Sequence, residues 1–451
     1  MVNASAGDGR SSARRAWAGL EWILIAVGWA LLFALPHAIV GDDNPRFQSL
    51  SLLLETGRIQ SPRYSLIGPA LAAPFYWIGK AFGSPVAGVL FYDPALFALM
   101  LAALYALLAP RWSSAAGRRF LLLLVAASMF PRHLLHFGAE AFTASFVAVG
   151  LALVALATGP LRTWGGWGVA VLGAVNTPAA LGGLGVAALQ WVRETRRLRW
   201  LAVPALAFAV YALDTYVRTG ALLQTGYADD RGMRTMLPYS GLPEWSYPIP
   251  FGLLSLTLSF GKGLAFFAGG LCLLPGLRRL ALPKALNPVL NLWLAFLLGL
   301  LLVYSHWWSW YGGFGAGPRF MLFASLPASL LLAQLTLKAA TWAGQLASVI
   351  LVALGCWVSV ATTVFENGGA DVCTSNGYQL ESLCWYTPEF SVLWNPFVGS
   401  VHAWDGLSPG RVAVVLYGAA VFGVVSAPHL RALALRAVKA VRASLARGWE
   451  F

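Results

Sequence analysis

The sequence predicts an all-α polytopic membrane protein of about twelve transmembrane helices, read as a single domain over 1–451. Two observations carry that reading. Of the 451 residues, 58% are hydrophobic and 11% charged, whereas soluble proteins carry roughly 25% charged residues. The apolar residues also fall in runs near the ~20 needed to span a bilayer, with basic residues clustered between them. The net charge of +13, from 31 Lys and Arg against 18 Asp and Glu, is dispersed in those short clusters. It forms no patch for nucleic acid; the lipid bilayer is the partner it implies. Four cysteines are too few for a disulfide scaffold in a chain of this length.

The elements follow in order. After a cytoplasmic tail (1–19), the apolar run from Trp22 to Leu35 has no small-residue cleavage site behind it and reads as a first span, near 20–40, not a signal peptide. Further spans are predicted near 87–109, 119–135, 138–158, 164–178, 179–192, 200–217, 251–277, 286–304, 319–337, 343–364 and 410–428. With the N-terminus inside, alternation places 20 of the 31 Lys and Arg on the cytoplasmic side, among them Arg111, Arg118 and Arg119. The basic tail 429–451, with Arg431, Arg436, Lys439 and Arg442, then lies on the inner leaflet, and both termini are cytoplasmic. Tyr64–Phe82 is apolar enough to span, but counting it would invert everything after it. With Asn44–Gly57 it reads as helices along the outer surface, which Pro69, Pro74 and Lys80 suit. The outer loops are 41–86, 218–250, 305–318 and 365–409, and no internal repeat or soluble domain is visible.

The acidic residues concentrate on that outer side, including Asp229, Asp230, Glu366 and Glu381. Asp42 and Asp43 stand out because they close the first span, ahead of an Asn-Pro break and of Phe47, Leu50, Leu53 and Leu54 at helical spacing. A carboxylate at a membrane boundary can accept a hydroxyl proton, and a neighbouring carboxylate raises its pKa. The same pair could simply cap the next helix. A second constellation runs from His306 through Trp307, Trp308, Trp310, Tyr311, Gly312, Gly313, Phe314, Gly315, Ala316 and Gly317 to Arg319. Aromatic faces suit sugar rings, glycines permit close approach, and a guanidinium at a span end can bind phosphate bidentately. An interfacial aromatic belt with an anchoring Arg is the alternative.

Lys262 lies between Gly261 and Gly263 inside an apolar segment, where a charge is costly and faces a partner or snorkels to the headgroups. Arg132, His133, His136 and Glu140 form a polar knot between the third and fourth spans, which either lines the outer cavity or holds a tight turn. Asp93 and Asp214, near outer span ends, have no assigned role. Cys373 and Cys384, in one outer loop, can pair in an oxidising compartment, while Cys272 and Cys356 fall in spans. No HExxH, paired CxxC, P-loop or nucleophile elbow is present.

With these residues in hand, the chain resembles the GT-C superfamily of polyprenyl-phosphate-sugar-dependent glycosyltransferases. The resemblance lies in the first span leading to Gly41-Asp42-Asp43-Asn44-Pro45-Arg46-Phe47, in the surface segment with Tyr64, Gly68-Pro69 and Pro74, in Phe82-Gly83, and in the Trp-rich Gly-Pro-Arg-Phe stretch. It implies a site on the outer face of a bacterial plasma membrane, with Asp42 matching the family's base and Asp43 the second acidic position, leaving open which of the two is the base. It implies donor-phosphate contacts from Arg319, Lys262 and Arg132, and substrate contacts from His306, Trp308, Trp310, Tyr311, Tyr64 and Glu140. It further implies a polyprenyl-phosphate sugar as donor, an envelope glycan, glycolipid or protein as acceptor, and no required cofactor, a divalent cation staying open. The rival expectations are an O-antigen-ligase-like transferase, a twelve-span secondary transporter, whose half-to-half symmetry the sequence does not display, and a scaffold without catalysis.

Overall fold

Every regular element among the described residues is helical. The computed structural model describes residues 5–59, 63–222, 234–237, 239–313, 317–365, 370–398 and 404–447; Asp229, Asp230, Phe314, Gly315, Ala316 and Glu366 lie outside them. Among the described residues, eight helices are long and apolar enough to cross a membrane: Arg15–Ala34, Pro85–Arg111, Ala139–Leu156, Leu198–Thr219, Lys284–Tyr304, Arg319–Lys338, Trp342–Val364 and Pro409–Leu445. Each matches a predicted span.

The other four predicted spans take different forms, and their prolines and glycines explain why. The stretch 119–135 becomes a 13-residue helix, Ser114–Ala126, then a single turn, Phe130–His133, opened by Pro131. Residues 164–178 and 179–192 become Pro160–Ala174 and Pro178–Thr195, each with proline in its first turn. Residues 251–277 break at Gly261-Lys262-Gly263 into Ile249–Leu258 and Leu264–Phe267, followed by a 3-10 stretch, Gly269–Leu280, that contains Pro275. Ser114–Ala126 is largely enclosed, with ten of its 13 residues buried, and Ser325–Lys338 more so, with twelve of 14.

Close helix pairing depends on small residues, as expected where no hydrophobic drive separates helix from lipid. Pro178–Thr195 packs on Asn287–Tyr304 so closely that a Cβ on Gly299 would sit 2.5 Å from the Gly183 Cα. At one end of the bundle, on the side predicted to be outer, helix Asp43–Thr56 and helix Ala73–Ala81 lie against one another, tied by Tyr76 Oη donating to Glu55 Oε1 at 2.7 Å. Leu50 and Tyr76 share a small apolar core with Val89, Tyr92, Phe137 and Phe142. Asn176 then fastens this outer segment to the bundle. Its Oδ1 accepts the Gly68 N–H at 3.1 Å and its Nδ2 donates to the Ala139 carbonyl at 3.3 Å. At the opposite end, Glu21 is buried against Arg118 and Arg119, at 3.0 and 2.7 Å.

Candidate active site

The chain leaves its first helix and turns at Gly41, whose φ of 53° places it in the left-handed region that favours glycine. Asp42 then occupies the N-cap position of Asp43–Thr56, yet its side chain makes no capping hydrogen bond. Its two oxygens go elsewhere. Tyr64 Oη donates to Oδ1 at 2.8 Å, and Arg319 Nη2 donates to Oδ2 at 2.7 Å across 277 positions of sequence. The capping alternative therefore fails for Asp42, whose side chain remains 36% exposed. Asp43 turns the other way. Its carboxylate is buried, accepts the Val40 N–H at 3.5 Å and lies 3.9 Å from His136 Nδ1.

The two neighbours titrate in opposite directions. Burial pushes the Asp42 carboxyl up, but the Arg319 charge and the hydrogen bonds from Arg319 and Tyr64, with Arg46 nearby, outweigh it and hold the group below its usual value. Burial dominates at Asp43; Arg46 opposes it only in part, Glu140 adds to it, and the carboxyl rises to about 6. Asp42 is thus the more accessible carboxylate of the pair and the one whose charge its neighbours favour. Glu140 approaches the other edge of the same guanidinium, its Oε1 3.8 Å from Arg319 Nε.

Beside this pair lies a cavity that the sequence did not disclose. Arg46, Arg63 and Arg218 line it together with Tyr64, Asn176 and Thr177, and it is small, with room for about one water molecule. Arg46 lies over the Tyr64 ring, 4.5 Å from its centroid, and its Nη1 is buried without a hydrogen-bond partner. Arg218 pairs with Asp214 at 2.9 Å, one turn away on the same helix. Tyr64 therefore faces both features, lining the arginine cavity with its ring and holding Asp42 with its hydroxyl. Arg46 was within reach of sequence reasoning, three residues after Asp43 on one helix. Arg63 and Arg218 were not, because only the fold brings them together.

Other sequence candidates have different surroundings. Lys262 is 3% exposed and donates to the Gly313 and Gly317 carbonyls at 2.8 and 2.9 Å. Arg132 is buried on Phe130–His133. His136 Nδ1 lies 3.2 Å from the Ala38 carbonyl oxygen. Trp310 and Tyr311 correct the sugar-stacking expectation, being 1% and 6% exposed. Tyr311 stacks on Trp385 at 3.8 Å and Trp310 meets Trp385 edge-on at 5.4 Å, so these rings bury one another. His306 and Trp308 remain partly exposed, and His306 Nδ1 lies 2.7 Å from the Tyr247 carbonyl oxygen. Cys373 and Cys384 are joined as a disulfide with Cα atoms 6.1 Å apart, whereas Cys356 is buried and Cys272 exposed. In the same loop Glu381 is 2% exposed, and burial lifts its carboxyl to about 7 against a hydrogen bond from Tyr311 and the charge of Lys262.

No family model matches the chain, and no curated protein is similar enough to match it. Solved structures do match. ArnT from Cupriavidus metallidurans in the apo state is 15% identical, with a TM-score of 0.54 over 93% of this chain and 77% of that one. The same protein bound to undecaprenyl phosphate is 16% identical, with a TM-score of 0.54 over 92% of this chain and 77% of that one. ArnT is a GT-C glycosyltransferase, and a likeness at this level of identity is one of fold. The architecture implied by the residues around Asp42 and Arg319 is thereby found: this chain has the GT-C fold.

Proposed function

We propose that the protein transfers a sugar from a polyprenyl-phosphate donor to an acceptor hydroxyl at the outer face of a bacterial plasma membrane. The observation that carries this reading is the accessible Asp42, fixed by Arg319 and by Tyr64, whose ring in turn lines a small cavity walled by three arginines. That arrangement sets a proton acceptor beside an anion site, as transfer from a lipid phosphate requires. A solved chain of the same fold is bound to undecaprenyl phosphate, which supports a lipid phosphate as the donor's carrier.

In this mechanism the donor phosphate docks against Arg46, Arg63 and Arg218, where guanidinium forks match phosphate oxygens. The acceptor hydroxyl approaches Asp42 Oδ, gives up its proton there and attacks the anomeric carbon. The bond from that carbon to the phosphate oxygen breaks, and its electron pair leaves with the phosphate, whose growing charge the arginines offset. One displacement inverts the anomeric centre. Asp43, turned inward and with its carboxyl raised, supports the turn at Gly41 and does not meet the acceptor. The donor tail stays in hydrocarbon throughout. Acceptors compatible with the small outer loops are a lipid-linked glycan, a glycolipid or a protein segment.

The test is incubation of the purified protein in detergent with labelled polyprenyl-phosphate sugars and envelope extract, comparing wild type with Asp42→Asn. Transfer by the wild type and its loss in the variant supports the reading and identifies the sugar. An intact wild type that consumes no donor across the panel overturns it in favour of a ligase or transporter. An inactive Asp43→Asn beside an active Asp42→Asn moves the base by one position.

A further inference from the structure

Lys262 is the charged side chain least explained by phosphate binding. It sits in the break between Ile249–Leu258 and Leu264–Phe267, 3% exposed, where a cation without partners would be costly. An ammonium has three N–H donors, and two of them go to the carbonyl oxygens of Gly313 and Gly317, at 2.8 and 2.9 Å. Those two glycines, like Gly312, have φ between 70° and 78°, in the left-handed region that glycine tolerates. The Gly317 carbonyl also accepts the backbone N–H of Arg319 at 3.1 Å, so one oxygen joins the lysine to the residue that grips Asp42.

The break itself is locked from outside. Gly261 donates its N–H to the Trp385 carbonyl at 2.9 Å, and a Cβ there would collide with the Cys384 carbonyl oxygen. Ser391 Oγ donates to the Phe260 carbonyl at 2.9 Å. The disulfide loop thus presses on the break that presents Lys262.

We propose that Lys262 is a positioning residue: by holding the Gly313 and Gly317 carbonyls it fixes the backbone just ahead of Arg319 and so that residue's reach to Asp42, and it does not touch the donor phosphate. The proposal rests on the glycosyltransferase reading for its catalytic meaning, while its geometric claim can be tested without turnover. Around Asp42 the groups that set its proton affinity are Arg319, Tyr64 and Arg46, with Asp43 adjacent. Only the Arg319 contact depends on the clamp.

The experiment follows Asp42 in the full-length protein by carbodiimide labelling, which reads the protonated carboxyl, as a function of pH with mass-spectrometric detection. Arg319→Met sets the largest displacement. Lys262→Met is expected to move the Asp42 midpoint upward by about one pH unit, towards the Arg319→Met profile. Amide exchange should quicken in 311–320 and stay unchanged in Ala139–Leu156, while affinity for undecaprenyl phosphate stays within about twofold of wild type. Should Lys262→Met fail to fold, Lys262→Gln, which keeps an N–H donor, is expected to give a smaller displacement of the same sign. An unchanged Asp42 profile in a folded variant overturns the proposal. So does a loss of undecaprenyl phosphate affinity above about tenfold without that displacement, which would make Lys262 a phosphate ligand. Labelling and exchange need no sugar transfer, so a failure of the glycosyltransferase reading appears only in the donor panel.

Discussion

The two ends of the bundle each hold a carboxylate between cationic neighbours, and they differ in what is left over. At one end Glu21 is 5% exposed and both its oxygens are taken, Oε1 by Arg119 through Nε and Nη2, Oε2 by Arg118. At the other end Asp42 is also doubly held, by Arg319 and Tyr64, yet its side chain is 36% exposed, and Tyr64 lines a small cavity with a partnerless Arg46 nitrogen. A closed ion pair has no capacity for a ligand and acts as a staple. An open one retains unsatisfied donors and acceptors, which is what a substrate can use. A carboxylate held by arginine therefore distinguishes a scaffold from a candidate site only through its residual valence and access.

The contrast is most easily broken at Asp42. Asp42→Asn should cut transfer by about 10²- to 10⁴-fold, the usual scale of a general base, with little change in thermal unfolding. Glu21→Gln should do the reverse, costing about 3 kcal/mol of stability because two guanidiniums stay buried against a neutral partner. Thermal unfolding in detergent and undecaprenyl phosphate binding, measured on both variants, separate the two roles. A Glu21 variant with normal stability and lost binding would erase the distinction.

Asp42 and Asp43 sharpen the contrast within one end of the bundle. Asp43 is raised to about 6 in the folded protein, above its ordinary value near 4, so the folded state holds the extra proton between those values. Stability from this group should fall as pH rises from about 4 to about 6, by on the order of 2–3 kcal/mol, and Asp43→Asn should flatten that decline. Asp42 is lowered, so its contribution is present above the ordinary carboxylate pKa and is lost as pH falls through the folded value. Denaturant midpoints against pH for the two Asn variants should therefore change slope in opposite senses. The smallest effect is expected at the cavity wall. Arg46→Gln should weaken undecaprenyl phosphate binding about tenfold, the scale of one charge-assisted hydrogen bond, and more salt should narrow the gap.

Hydropathy located the eight long helices because a span must be apolar along its own length, a local property. It overran at 251–277, where the segment is apolar on average but Gly261-Lys262-Gly263 and Pro275 break the backbone. Asp42, Arg319 and Tyr64 were each visible as unusual residues in their own segments. Their hydrogen bonds join three separate segments, and no spacing along one of them reports that. Trp310 and Tyr311 misled for a related reason. Aromatic faces that could greet a sugar can as easily greet Trp385, and burial decides between the two. The Cys373–Cys384 pair was legible because eleven residues in one loop allow only a local closure.

The short, mostly buried helix Ser114–Ala126 has a consequence for the interior of the bundle. A 13-residue helix rises about 20 Å, whereas the apolar layer of a bilayer is about 30 Å thick. The chain makes up the missing length with the turn Phe130–His133, where Arg132 and His133 stand instead of a further apolar turn. Stopping a buried helix short is therefore a way to seat a cation inside an otherwise apolar bundle, since a full-length span through the same place would have to be apolar along all of it.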